Sequence, residues 1–253
     1  MITGIQVSSL RPLLMSSQQV TDTFRRLAQM GCMTVQLQWI DPSVSPEEIA
    51  RSLREFGLAS VSVQDPYTEI MAHESYYTSL CTLTGSPWLC VGRIPMPYRS
   101  TQGIRAYAHE LERLAERVAP LGLKLCFHAT SPDYQPIEGQ NPVELLLDAV
   151  QMPLHICLDL FHAERSGVNT VSFLKKYQGL VCMAHFKDYK ITPEGRTVLV
   201  PAGQGVIDWP PILDACLETG VEYGFVEQES WSKDPFDCMS EALSWLNGQI
   251  SGK

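Results

Sequence analysis

The stretch PLHICLDLFHAERSGVNTVSFLKKYQGLVCMAHFKD, residues 153–188, holds the reading that decides the fold. Two short β-rich runs, Leu154–Leu158 and Leu180–His185, flank a segment of helical character. Gly179 stands just before the second run, where a left-handed residue stops a helix. Both runs end in acids and imidazoles: Asp159 to His162 after the first, His185 to Asp188 after the second. A unit of this kind implies parallel strands joined by a helical crossover.

The same alternation extends outward in both directions. Further strands are predicted at Ile2–Val7, Met33–Gln38, Leu58–Gln64, Trp88–Val91, Leu123–His128 and Val221–Val226. In the fourth helical segment Tyr107, Leu111, Leu114 and Val118 fall on one face, and Ile212, Leu213, Cys216 and Leu217 do so in the seventh. Ser45-Pro46-Glu47-Glu48 reads as an N-cap, a first-turn proline and a capping-box glutamate. Asn141-Pro142-Val143-Glu144 repeats that logic, and Asp208 is expected to cap the helix near Trp209. Gly31, Gly57, Gly122 and Gly220 close helices as Gly179 does. Eight β-then-α units predict a closed α/β (β/α)8 barrel, one domain over residues 1–253. An open doubly wound sheet is the alternative. It would normally carry a Gly-rich phosphate loop after its first strand, and Val7-Ser8-Ser9-Leu10-Arg11 is none.

The net charge of −9 argues against nucleic acid or an anionic membrane as partner, because phosphate contacts need clustered Lys and Arg. No apolar run approaches the roughly 20 residues of a membrane span, and no secretion signal opens the chain. Eight cysteines without a CxxC pair fit buried, reduced thiols in a cytoplasmic protein. Barrels of this type often form homo-oligomers, but no sequence signal fixes a stoichiometry.

In such a barrel, side chains just past the C-terminal ends of the strands face the active site. Four successive strands deliver His128, Asp159, His185 and Glu227 to that rim. Two imidazoles and two carboxylates suit one divalent ion, Mn, Zn or Co before Mg or Fe. Each residue also has a plainer reading. A lone histidine is often structural, Asp159 can cap a helix, and Glu227 can pair with Lys187 or Arg93. Gln38, Trp39, Gln64 and Glu229 end neighbouring strands and are candidate substrate contacts.

Four motifs then resemble the xylose-isomerase-like superfamily of sugar phosphate isomerases and epimerases. They are Leu158-Asp159-Leu160-Phe161-His162 with Ser166-Gly167-Val168; Ala184-His185-Phe186-Lys187-Asp188; Gly203-Gln204-Gly205-Val206-Ile207-Asp208-Trp209; and Val226-Glu227-Gln228. The resemblance implies a metal held by an acid or histidine on strand five with Asp159, His185 and Glu227. It implies His162 as a ligand for a substrate hydroxyl, and Lys187 in contact with substrate or paired with Asp188. The chain departs from ketose 3-epimerases of that group, which carry a Glu-Pro pair on strand five and a second glutamate six residues on. His128 and Tyr134 stand at those positions.

These features predict a metal-dependent isomerase or epimerase of a small sugar or keto-sugar. Glu227, or else Glu229, would take a proton beside a carbonyl, and His162 and Lys187 would assist. Trp39, Tyr67 and Trp231 are expected pocket walls, and Arg93, Arg99 and Arg196 are possible anion contacts. A dehydratase or lyase acting on a keto-inositol or keto-sugar is the alternative enzyme. Apurinic endonuclease chemistry fits poorly, since it needs more histidines and a basic stripe. A non-catalytic, ligand-binding barrel is the alternative of another class.

Overall fold

The computed structural model describes residues 1–252. Its strands in chain order are β1 (Ile2–Gln6), β2 (Thr34–Leu37), β3 (Ala59–Pro66), β4 (Trp88–Gly92), β5 (Lys124–His128), β6 (His155–Asp159), β7 (Val181–Phe186), β8 (Asp188–Ile191), β9 (Thr197–Val200) and β10 (Tyr223–Val226). Eight of them close a barrel in the order β1-β10-β7-β6-β5-β4-β3-β2. Every barrel pairing is parallel. The expected fold and all eight expected strands form, with ends shifted by a few residues. β1 stops at Gln6 because Val7 opens a 3-10 turn, and β3 runs on to Pro66.

The helices are α1 (Ser17–Gln29), α2 (Pro46–Phe56), α3 (Tyr67–Ala72), α4 (Glu74–Thr84), α5 (Thr101–Val118), α6 (Pro142–Ala149), α7 (Leu160–Arg165), α8 (Thr170–Lys176), α9 (Trp209–Glu218) and α10 (Pro235–Ser251). Tyr107, Leu111, Leu114 and Val118 of α5 are all buried, as their spacing predicts. Burying each such aliphatic side chain contributes about 1.5–3 kcal/mol. The capping box of α2 is complete, with Ser45 and Glu48 bonded reciprocally. Asn141 caps α6 through the Val143 amide. The five glycines expected to stop helices all have positive φ.

Asp208 departs from expectation: its side chain makes no cap bond to α9. The loop leading into α9 is instead held by Asp188. Asp188 Oδ2 accepts from the Gly203 and Gly205 amides (3.2 and 3.0 Å) and from Trp209 Nε1 (2.8 Å). Its Oδ1 accepts from the amides of Tyr189, Val206 and Ile207. A Cβ on Gly205 would lie 2.0 Å from Asp188 Oδ1, so only glycine lets the backbone come this close. The Gly-x-Gly-x-x-Asp-Trp motif is therefore scaffolding that fixes the loop after β7.

The sequence reading also missed the antiparallel β8–β9 hairpin, which lies outside the barrel. Inside the barrel, Cys90, Cys126, Cys157 and Cys182 join Val61, Trp88, Met183 and Phe225 in one buried plug. All eight cysteines are free and buried, in keeping with the expected reduced thiols. Burial raises the thiols of Cys90 and Cys126 well above their ordinary range.

Candidate metal centre

The last residue of β6 uses its two oxygens differently. Asp159 Oδ1 accepts from the His162 amide at 2.8 Å and caps α7. Oδ2 faces the barrel axis. It lies 3.7 Å from His128 Nε2, 3.7 Å from His162 Nε2, 3.8 Å from His185 Nδ1 and 3.4 Å from Lys187 Nζ. Glu227, just past β10, joins this group: its Oε2 is 3.1 Å from His185 Nδ1. Its Oε1 accepts from Ser8 Oγ at 2.7 Å. The helix cap is thus real and still leaves Asp159 free to act as a ligand, because a carboxylate has an oxygen for each role.

The donor set fits a divalent cation. Donor atoms of His128, Asp159 and His185 lie within 4.8 Å of one another. Tetrahedral donors about 2.1 Å from a common ion would sit roughly 3.4 Å apart. Both ring nitrogens of His128, Asp159 Oδ2, His185 Nδ1 and Glu227 Oε2 are buried and make no hydrogen bond of acceptable angle. Buried polar atoms are rarely left so, and several converging on one point call for a shared partner. Lys187 Nζ supplies part of it, in ion-pair range of both carboxylates.

The electrostatics agree. Burial holds His128 neutral, with its proton affinity lowered to about 4. Burial opposes protonation of His185 too, but Glu227 and Asp159 outweigh it and lift that ring to about 9. Against their burial, His162 and Lys187 hold Asp159 ionised far below the carboxylate range, and Lys187 and His185 do the same for Glu227. A metal would take the place of the His185 proton, since both seek the Nδ1 lone pair.

Of the two expectations for Lys187, pairing with Asp188 is overturned: it pairs with Glu229 at 2.6 Å, Glu227 at 3.0 Å and Asp159 at 3.4 Å, while lining the cavity where a substrate would sit. Asp188, one residue on, points to the loop amides, because neighbours in extended chain face opposite ways. Glu227 pairs with Lys187, not Arg93.

Gln36, on β2, was not singled out from sequence. His185 Nε2 lies 2.6 Å from Gln36 Oε1. Gln36 Nε2 donates to Gln64 Oε1 (3.0 Å), and Gln64 Nε2 donates to Gln38 Oε1 (3.2 Å). That direction makes His185 Nε2 the donor and leaves Nδ1 facing the carboxylates. The signal was available: Gln36 and Gln38 sit two apart, on the same inward face. Gln36→Leu is expected to weaken zinc or manganese binding about 10–100-fold in a calorimetric titration. Unchanged affinity would remove Gln36 from any orienting role.

Above the cluster is a narrow cavity of about 40 Å³. Gln38, Trp39, Gln64, His128, His162, Lys187, Glu227 and Glu229 line it, so the structure brings these expected residues together. Asp159 and His185 are fully buried behind them. Trp39 stands at its edge with Arg11 4.7 Å above its ring. Trp231 is not in this lining; its Nε1 donates to the Gln228 carbonyl at 2.9 Å. Tyr67 lines a neighbouring cleft instead. Arg99 is tied to buried Asp133, and Arg196 is on the exposed hairpin turn beside Glu194.

Known proteins share this frame. An inosose dehydratase from Lacticaseibacillus casei is 22% identical over 159 residues, which is 56% of this chain and 53% of that protein. The chain thus aligns with about half the length of that curated relative. A sugar phosphate isomerase/epimerase from Parabacteroides distasonis superposes with a TM-score of 0.78 at 18% identity, covering 96% of this chain and 92% of the other. The IolI protein, solved with a zinc atom, gives 0.77 at 16% identity, covering 100% and 99%. Residues 79–249 match the family model described as xylose isomerase-like TIM barrel. With that match over most of its length, the chain belongs to the xylose isomerase-like TIM barrel family.

Proposed function

We propose that the protein is a metal-dependent isomerase or epimerase that removes a proton beside the carbonyl of a small sugar or keto-sugar. The observation that carries this is the convergence of unbonded His128, Asp159, His185 and Glu227 donors under a cavity walled by Glu229 and His162. A divalent ion held by those four residues, zinc, manganese or cobalt by donor type, would polarise the carbonyl and acidify the adjacent C–H.

The remaining work falls to side chains. Glu227 has one oxygen bonded to Ser8 and turns the other into the donor cluster beside His185 and Lys187, so it is better suited as ligand than as base. Glu229 is one-third exposed in the cavity wall. Burial and the nearby Glu227 raise its proton affinity, which suits a general base. Lys187 orients it at 2.6 Å. His162, neutral because burial lowers its affinity, is 2.8 Å from Ser131 Oγ through Nδ1. With Ser131 donating there, His162 Nε2–H faces the cavity as a donor to a substrate hydroxyl.

Dehydration is the second reading, and one asymmetry favours it. Epimerisation is served by two opposed carboxylates, but β5 offers His128, and Tyr134 six residues on is buried. A carboxylate on the β10 side and an imidazole on the β6 side suit loss of a proton and of a neighbouring hydroxyl. Proton NMR of turnover in D₂O separates the two: an isomerase product keeps the substrate formula with deuterium exchanged in, and a dehydratase product lacks one water. Glu229→Gln is expected to lower turnover about 10²–10⁴-fold with full metal content. Near-normal turnover would return the base role to Glu227, and loss of metal would make Glu229 a ligand.

A further inference from the structure

Arg93 follows β4 with φ 64, in the left-handed region. Only Trp39 and Glu138 share that conformation among the described non-glycine residues. A side chain there is strained, and such strain concentrates where a residue must be aimed. The backbone is pinned at both ends. The Arg93 amide donates to the His128 carbonyl (2.9 Å), and its own carbonyl accepts from the hydroxyl of buried Tyr107 (3.2 Å).

Arg93 and Lys187 are the two permanent cations lining the central cavity. Lys187 is held by three carboxylates. Arg93 has no acidic partner among the described residues, in a chain of net charge −9. The nearby Arg99 is committed to Asp133 and the Pro132 carbonyl. Strand order puts β4 across the barrel from β10, so Arg93 faces the Glu227–Glu229 side from the far rim. Behind it lies a cleft of about 560 Å³, which shares Pro66, Gly92, Arg93 and Thr130 with the central cavity.

We propose that Arg93 binds an oxyanion, phosphate or carboxylate, on the substrate. This deepens the proton-abstraction reading and rests on the same rim being the substrate site. The anion would seat at β4, as far as the mouth allows from the three carboxylates, and turn the reacting carbon toward β10. Guanidinium geometry matches an oxyanion in two-point contact, which explains an arginine at a position where glycine would relieve the backbone.

The test uses polyols that cannot enolise: D-glucitol, D-glucitol 6-phosphate and D-gluconate, titrated calorimetrically into metal-free and metal-loaded protein. One of the two anions is expected to bind at least about 10-fold tighter than glucitol, a margin of ~1.4 kcal/mol. Preference for the phosphate names a sugar phosphate, and preference for gluconate names a sugar acid. Arg93→Ala should erase the margin and Arg93→Lys should keep part of it. Arg93→Gly should erase it while raising Tm, so that lost binding is not lost folding. Arg196→Ala, on the exposed hairpin turn, should change nothing. The proposal fails if neither anion outbinds glucitol, or if Arg93→Ala keeps the preference. Binding is read without turnover and without metal, so failure here leaves the D₂O experiment to judge the chemistry independently.

Discussion

Asp159→Asn is expected to abolish metal binding and to lower turnover about 10³-fold or more, while the barrel stays folded. The Lys187 ammonium and ring nitrogens of His128, His162 and His185 converge on Asp159 Oδ2, at 3.4–3.8 Å. An amide there carries no charge and one fewer acceptor, so the cluster loses its central anionic donor. Lewis-acid activation of a carbonyl supplies several kcal/mol, and each 1.36 kcal/mol is tenfold in rate, hence the ~10³. The asparagine oxygen can still cap α7 at the His162 amide, since Asn is as good an N-cap as Asp. Asp159→Ala should therefore cost about 1 kcal/mol more in stability than Asp159→Asn. Elemental analysis, steady-state rates and urea unfolding on both variants check the three parts. Full metal content with near-normal rates in Asp159→Asn would remove this residue from the centre.

The sequence exposed most of this centre because barrel topology converts strand ends into neighbours. Once Leu158 and Ala184 are placed on inward-ending strands, Asp159 and His185 must share a rim with His128 and Glu227. The partnerships were less legible. Lys187 and Asp188 are adjacent in sequence, but strand alternation sends one into the barrel mouth and the other outward. Gln36 was hidden for the opposite reason: a buried amide gives no charge signal, and only its contact with His185 reveals its use. The hairpin of β8 and β9 escaped because its strands are largely exposed and lack a strong apolar period, although Pro193 and Gly195 mark its turn. Arg93 was legible as a cation. Its left-handed backbone rests on tertiary contacts with His128 and Tyr107, and its lack of an acidic partner on where the fold places the carboxylates, neither of which a local pattern encodes.

Lys187→Met should destabilise the metal-free protein by about 3–5 kcal/mol, the usual cost of removing one partner from a buried ion pair. The ammonium is 1% exposed and touches Asp159, Glu227 and Glu229. Its proton affinity is raised by those carboxylates in spite of burial, so it is charged at any ordinary pH. Without it, the three acids keep only the His185 proton as compensation, and methionine fills the volume but answers none of the charge. A divalent ion at the same centre supplies charge that the lysine no longer gives. By mass action, metal at about 100 times its Kd adds roughly 2.7 kcal/mol to the folded state of either protein, and more at the same concentration to the one that binds it more tightly. Urea unfolding in chelator should then show a larger deficit for Lys187→Met than unfolding with saturating zinc or manganese. The variant should bind the metal more tightly than wild type, which is what narrows the deficit, because a competing cation is gone from Asp159 and Glu227. Equal deficits in both conditions would mean that lysine and metal answer to different carboxylates. In that case the assignment of Asp159 and Glu227 as shared ligands could not stand.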